Sequence, residues 1–190
     1  MIVLGIVGKA GSGKSTIASA LEKSGAIRVS LDEIGHQALD SMKEEIRREF
    51  GECIMTGDSV DRKKLGDVVF NSPKLLERLN RIVHPVIRSV ALAKMIDDTK
   101  LYVIDGALLH QIGLSEFCDK ILWIECSPEE TVRRLALRGM TEYKARLILQ
   151  SQQHLDSLRD SADAIVDTSG DAAATLRKVE EVLFEWGIML

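Results

Sequence analysis

The sequence predicts an α/β fold in which a five-stranded parallel sheet is flanked by helices. Two observations predict it. Short apolar runs alternate along the chain with longer segments of helical periodicity, the sequence form of strands joined by helical crossovers. Most of those runs are also continuously apolar, as expected of strands buried on both faces, whereas a half-exposed antiparallel sheet alternates apolar with polar residues. A chain of 190 residues, 45% of them hydrophobic, suits one compact domain carrying small inserted lobes.

The first strand is expected over residues 2–7, followed by a glycine-rich turn and a helix running on through Thr16-Ile17-Ala18. The second strand is expected over 26–29. From 32 to 98 the pattern is only helical, punctuated by Asn71-Ser72-Pro73 and His84-Pro85, which predicts an inserted helical lobe. Strands return at 101–105 and 121–125. A second helical excursion opens at Ser127-Pro128-Glu129-Glu130 with an N-cap serine, an N1 proline and a capping-box glutamate. Gly139 and Thr141 mark one helix stopping and the next beginning. The fifth strand is expected at 164–167, and an amphipathic helix from Asp171 to Trp186 closes the sheet. The expected organisation is a single domain over 1–190: a core of residues 1–31, 99–126 and 161–190, a helical substrate lobe over 32–98 and a lid over 127–160.

A formal charge of −4 gives no bulk electrostatic reason to bind nucleic acid or an anionic membrane, so any anion site must be built locally. The apolar opening run falls far short of the roughly 18 to 20 residues that span a bilayer, and no basic segment precedes it. A soluble cytoplasmic protein is expected. Cys53, Cys118 and Cys126 form no Cys-x-x-Cys pair, and His36, His84, His110 and His154 lack ligand spacing, which points to reduced structural thiols and no transition metal.

The turn after the first strand, Gly8-Lys9-Ala10-Gly11-Ser12-Gly13-Lys14-Ser15, matches G-x-x-x-x-G-K-[ST] between a strand and a helix. Its glycines let backbone N–H groups turn inward around phosphate oxygens, and the following helix adds its positive N-terminal dipole. The predicted fold is therefore that of a P-loop NTPase. Gly11, Ser12, Gly13, Lys14, Ser15 and Thr16 are the expected nucleotide-binding residues, with ATP as the phosphate donor. Lys14 supplies charge to the β- and γ-phosphates and the Ser15 hydroxyl is the expected ligand of Mg2+. Lys9, an extra charge in the loop, reads as a solvated side chain.

Asp32 stands 18 residues beyond Lys14, directly after the second strand, where ligand crevices of open α/β sheets lie. It is the expected base for an attacking hydroxyl, with capping of the following helix as the alternative. Asp105 ends the third strand, as a Walker B carboxylate near metal or substrate does, or as a strand-end polar residue does. Arg133, Arg134 and Arg138 lie on one helical segment, with Arg134 and Arg138 on one face; they suit a clamp on transferring phosphate or a solvated basic face. Arg138, together with Lys14 and Asp32, is the expected catalytic set, and Arg134 joins the nucleotide-binding residues.

With these pieces in place the chain resembles the dephospho-CoA kinases over nearly its whole length. Its Gly11-Ser12-Gly13-Lys14-Ser15-Thr16 loop is similar to theirs, and Asp32 falls on the second Asp of their Asp-x-Asp. Asp61-Arg62-Lys63-Lys64-Leu65 leading through Leu79-Asn80 to Val83-His84-Pro85 resembles their segment ending in His-Pro. The resemblance implies phosphorylation of the ribose 3'-hydroxyl of dephospho-CoA, with the lobe binding the CoA end through Arg62 and His84. Ala107-Leu108-Leu109 sits where that family has Pro-Leu-Leu, placing Leu108 beside Asp32 and Asp105 among the expected substrate contacts. Ser127-Pro128-Glu129 through Arg138 is similar to its lid.

There are departures. Ser30 replaces the first Asp of the pair, His36 an arginine, Gln111 a glutamate, Gly139 an aspartate and Thr168 an asparagine, while Gln150 and Gln152 both compete for the glutamine that follows the lid. A uridine or pantothenate kinase-like enzyme is the nearest alternative, through Ser30-Leu31-Asp32. A GTPase-type switch lacks its Asn-Lys-x-Asp element. No obligate protein partner is expected; the partners are the small-molecule substrates.

Overall fold

The computed structural model describes residues 1–189; residue 190, the last of the expected core range, and the side chain of His154 lie outside the described residues. Seven strands are described: β1 (Ile2–Val7), β2 (Ile27–Ser30), β3 (Met55–Thr56), β4 (Ser59–Val60), β5 (Leu101–Asp105), β6 (Lys120–Glu125) and β7 (Ala164–Asp167). Five of them form one sheet in the order β2-β5-β1-β6-β7, with β1 parallel to β5 and β6, and β6 parallel to β7. The register pairs Ile6 with Asp105, Val7 with Trp123 and Glu125 with Asp167, so the carboxyl ends of four strands lie along one edge of the sheet, those of β6 and β7 two residues beyond that of β1. Ligands of open α/β sheets bind at that edge.

The chain divides into two compact units, Met1–Val29 with Asp97–Leu190, and Ser30–Ile96. In the first, Leu4, Ile6, Val103, Leu122, Ile124 and Val166 of the sheet pack against Ile17, Ala18 and Leu21 of α1 (Lys14–Lys23) and Val179 and Leu183 of the last helix, Ala172–Glu185. Each fully buried aliphatic side chain contributes roughly 1.5–3 kcal/mol, which makes this face of the sheet the main stabilising layer of the unit.

The second unit holds α2 (Leu31–Ser41), α3 (Lys43–Phe50), α4 (Arg62–Val69) and α5 (Pro73–Lys94). Aspartate and serine start the last two: Asp61 accepts from the Lys63 and Lys64 N–H groups and Ser72 from Leu75 N–H. Two features differ from the sequence expectation. The stretch is not only helical, because β3 and β4 pair antiparallel across a turn at Gly57, whose φ of 60° is the left-handed conformation glycine favours. His84-Pro85 does not punctuate a helix either, since Pro85 lies inside α5. The buried stripe Leu79, Val83, Ile87 and Ala91 holds that helix together past the missing N–H, and Pro85 itself is exposed.

Two more helices, α6 (Pro128–Leu137) and α7 (Glu142–Ser151), form a hairpin in the first unit with a small core of Val132, Leu135 and Ala145. Ser127 caps α6, Gly139 has a φ of 84° in the turn, and Thr141 caps α7. A short helix, α8 (Asp156–Arg159), and the terminal α9 (Ala172–Glu185) complete the order. Among the described residues no helix is long and apolar enough to cross a membrane.

Candidate active site

The loop from Gly8 to Ser15 joins β1 to α1, and its glycines are required by what surrounds them. A Cβ on Gly8 would meet the Ile124 carbonyl oxygen at 2.1 Å, so the loop lies directly on the β6 backbone. Gly13, with φ 94°, is the N-cap of α1, whose first turn contains no acidic residue to oppose an incoming anion. Lys14 Nζ donates to the Lys9 carbonyl at 2.8 Å. Ser12 Oγ is buried and has no hydrogen-bond partner, while Ser15 and Thr16 are exposed at the opening of the helix. The N-terminus of a helix, a cationic amine and an unmatched buried hydroxyl form a cradle that fits phosphate oxygens.

The same residues fit a hard divalent cation of the magnesium kind. Ser15 offers an exposed oxygen donor beside the cradle. Among the described residues no group of three or more His, Cys, Asp or Glu could hold a metal ion, and a cation carried by substrate phosphates, one hydroxyl and water needs none.

Beside the cradle a pocket of about 210 Å³ is lined by Gly11, Gly13, Thr16, Arg134, Arg138 and Thr168. Arg134 is locked in place along it. Its Nη1 donates to Thr168 Oγ1 at 2.9 Å, its Nη2 to the Thr168 carbonyl at 2.5 Å and its Nε to Glu130 at 2.8 Å. Thr168 Oγ1 in turn donates to the Ser12 carbonyl at 2.7 Å. Hydrogen bonds from Arg133 and Arg134 push the Glu130 carboxyl down to about 2. Arg138, the C-cap residue of α6, is exposed. Arg133 turns instead to Glu130, through two bonds of 2.6 and 2.7 Å. The pocket therefore gathers two of the three arginines.

Asp105 ends β5 and is buried; its Oδ2 accepts a 2.7 Å hydrogen bond from Arg28 of β2. Leu108 follows in the next turn, half-buried. Sequence reasoning passed over Arg28 because an arginine in a short edge strand carries no motif. It likewise saw Thr168 only as a departure from a pattern.

Within the Ser30–Ile96 unit, Ser30 caps α2 by accepting from Glu33 N–H at 3.3 Å, and Asp32 and Glu33 occupy the first turn. The capping role open to Asp32 is thus filled by Ser30, and Asp32 is exposed. Arg62 is the first residue of α4 and exposed. His84 is half-buried on α5, and burial pushes its pKa below the usual histidine value, which favours a neutral imidazole.

The description dephospho-CoA kinase belongs to the family model that matches residues 2–174. A dephospho-CoA kinase of Agrobacterium fabrum is 35% identical, covering 98% of this chain and 99% of its own. One from Bacillus licheniformis is 32% identical, over 97% and 96%. The crystal structure of a Thermus thermophilus protein superposes with a TM-score of 0.85 at 29% identity, covering 97% of both chains. A match of this extent, on a phosphate loop set in a parallel sheet, shows that the chain belongs to the dephospho-CoA kinase family.

Proposed function

We propose that this chain transfers the γ-phosphate of ATP to the ribose 3'-hydroxyl of dephospho-CoA, giving coenzyme A and ADP. The observation that carries the reading is the joining of phosphate loop and arginine pocket: Gly11, Gly13 and Thr16 line one pocket with Arg134 and Arg138. A nucleotide whose phosphates sit on the amides of residues 11–16 thereby reaches its base or ribose toward Arg134 and Thr168.

In this reading Lys14 holds the β- and γ-phosphates, and Ser15 would hold Mg2+, which when bound offsets phosphate charge. Asp32, freed from capping by Ser30, accepts the proton of the attacking hydroxyl. Arg138, exposed at the end of α6, neutralises charge on the transferring group. Arg62, His84, Asp105 and Leu108 serve the acceptor, and residues 127–160 act as the lid that keeps water from the γ-phosphate.

ADP release with Mg-ATP, compared across dephospho-CoA, uridine, pantothenate and no acceptor, tests this. Stimulation by dephospho-CoA alone, with coenzyme A identified by mass, is the expected result. Stimulation by uridine or pantothenate instead overturns the acceptor and keeps the kinase.

A further inference from the structure

One peptide group of the phosphate loop is held from both ends. The peptide joining Lys9 to Ala10 presents its C=O to Lys14 Nζ at 2.8 Å and its N–H to Gln152 Oε1 at 2.8 Å. A peptide is planar, so the direction of its N–H fixes the direction of its C=O. The same carbonyl accepts from Ser12 N–H at 3.3 Å within the loop, and the one hold on this peptide from outside the loop is a side chain 142 residues from Ala10. Beside this contact Lys9 Nζ pairs with Asp156 Oδ1 at 2.6 Å, so Lys9 is not simply solvated as the sequence suggested.

Gln152 is well placed to hold a fixed position. It is the C-cap residue of α7, half-buried, and its own N–H bonds back to the Ile148 and Leu149 carbonyls. The residues after it turn through Gln153–Leu155, where Leu155 is buried, into α8. The contact thus runs from the α6–α7 hairpin to the loop. Gln150, the competing glutamine, makes no such bond to the loop among the described residues.

We infer that Gln152 is a positioning residue for Lys14, acting through the Lys9–Ala10 peptide, so that the place of the hairpin and the readiness of the loop for nucleotide are linked. The inference rests on Lys14 being the phosphate-holding lysine. A chain of hydrogen bonds of this kind polarises along its length, and losing the acceptor at the N–H end leaves the peptide held only through its carbonyl, by Ser12 N–H and Lys14.

The test is a double-mutant cycle read as equilibrium binding of ATP, without acceptor, on the full chain. Gln152→Leu is expected to weaken ATP binding about tenfold, the scale of one lost hydrogen bond to a partly buried partner. In a Lys14→Ala background the same change is expected to alter binding by no more than about twofold, because the group it positions is gone. Gln152→Ala carries the same comparison if the leucine variant does not fold. Equal losses with and without Lys14, or no loss at all, would each overturn the inference. Unchanged ATP binding by Lys14→Ala alone would overturn the reading of Lys14 on which it rests, and acceptor choice does not enter either result.

Discussion

At the scale of single residues, the proposed function divides the work of binding and transfer between Lys14 and Asp32. Lys14→Ala is expected to cut kcat/KM by about 100-fold or more while unfolding stays cooperative, because a fixed charge on the transferring phosphate is lost. Asp32→Asn is expected to leave ATP binding in place and to slow transfer by roughly 100-fold, the scale of an acid-base group. Since Ser30 already caps α2, that variant should melt close to the parent temperature. Arg28 and Asp105 give the opposite signature. Their side chains are 17% and 4% exposed, so Arg28→Ala strands a buried carboxylate and is expected to destabilise by about 3 kcal/mol in urea unfolding. The phosphate loop was legible in the sequence because all its parts are contiguous. Arg28 with Asp105, and Thr168 with Ser12, were not, because the partners lie 77 and 156 residues apart and only the sheet brings them together.

At the scale of elements, the α6–α7 hairpin is fastened to the phosphate loop through Glu130, Arg134 and Thr168. The Thr168 hydroxyl both accepts from Arg134 and donates to Ser12, so Thr168→Val removes two bonds at a buried site. We expect KM for ATP to rise about tenfold and Thr168→Ser to restore it, measured by steady-state kinetics. The Glu130 carboxyl, pushed from the ordinary 4.5 to about 2, sets the pH range of this fastening. A carboxyl depressed by folding stabilises above its unfolded value and ceases to do so as pH falls through its folded one. The contribution of Glu130 is thus complete above about pH 4.5 and fades toward pH 2, and a Glu130→Gln variant should differ from the parent in thermal melts at pH 6 and converge with it at the acid end. The caps of α6 and α7 were readable because each is a local signal of a few residues. The β3–β4 hairpin was not, since strands of two residues are too short to show alternation, and Pro85 misled because a buried stripe overrode a local rule.

At the scale of the whole molecule, most strands of the sheet were legible as apolar runs, and the chain divides at Val29 and Ser30, at the end of β2. That division carries a prediction of its own. If nucleotide is held by the Met1–Val29 and Asp97–Leu190 unit and the CoA end of the acceptor by Ser30–Ile96, each ligand slows hydrogen exchange in a different part of the chain. A bound ligand lowers the population of open states by the factor 1 + [L]/Kd, so at 100 times Kd protection rises about 100-fold for amides that exchange only when the ligand leaves. A non-hydrolysable ATP analogue is expected to protect residues 9–16, 134–138 and 168–172. Dephospho-CoA alone is expected to protect the start of α4 around Arg62 and the middle of α5 around His84. Because α5 already buries Leu79, Val83, Ile87 and Ala91, its gain will be smaller than that of α4, whose first turn is exposed. Protection by dephospho-CoA confined to the nucleotide unit would remove Arg62 and His84 from the acceptor site and leave the phosphate loop, Lys14 and the Arg134 pocket as they stand.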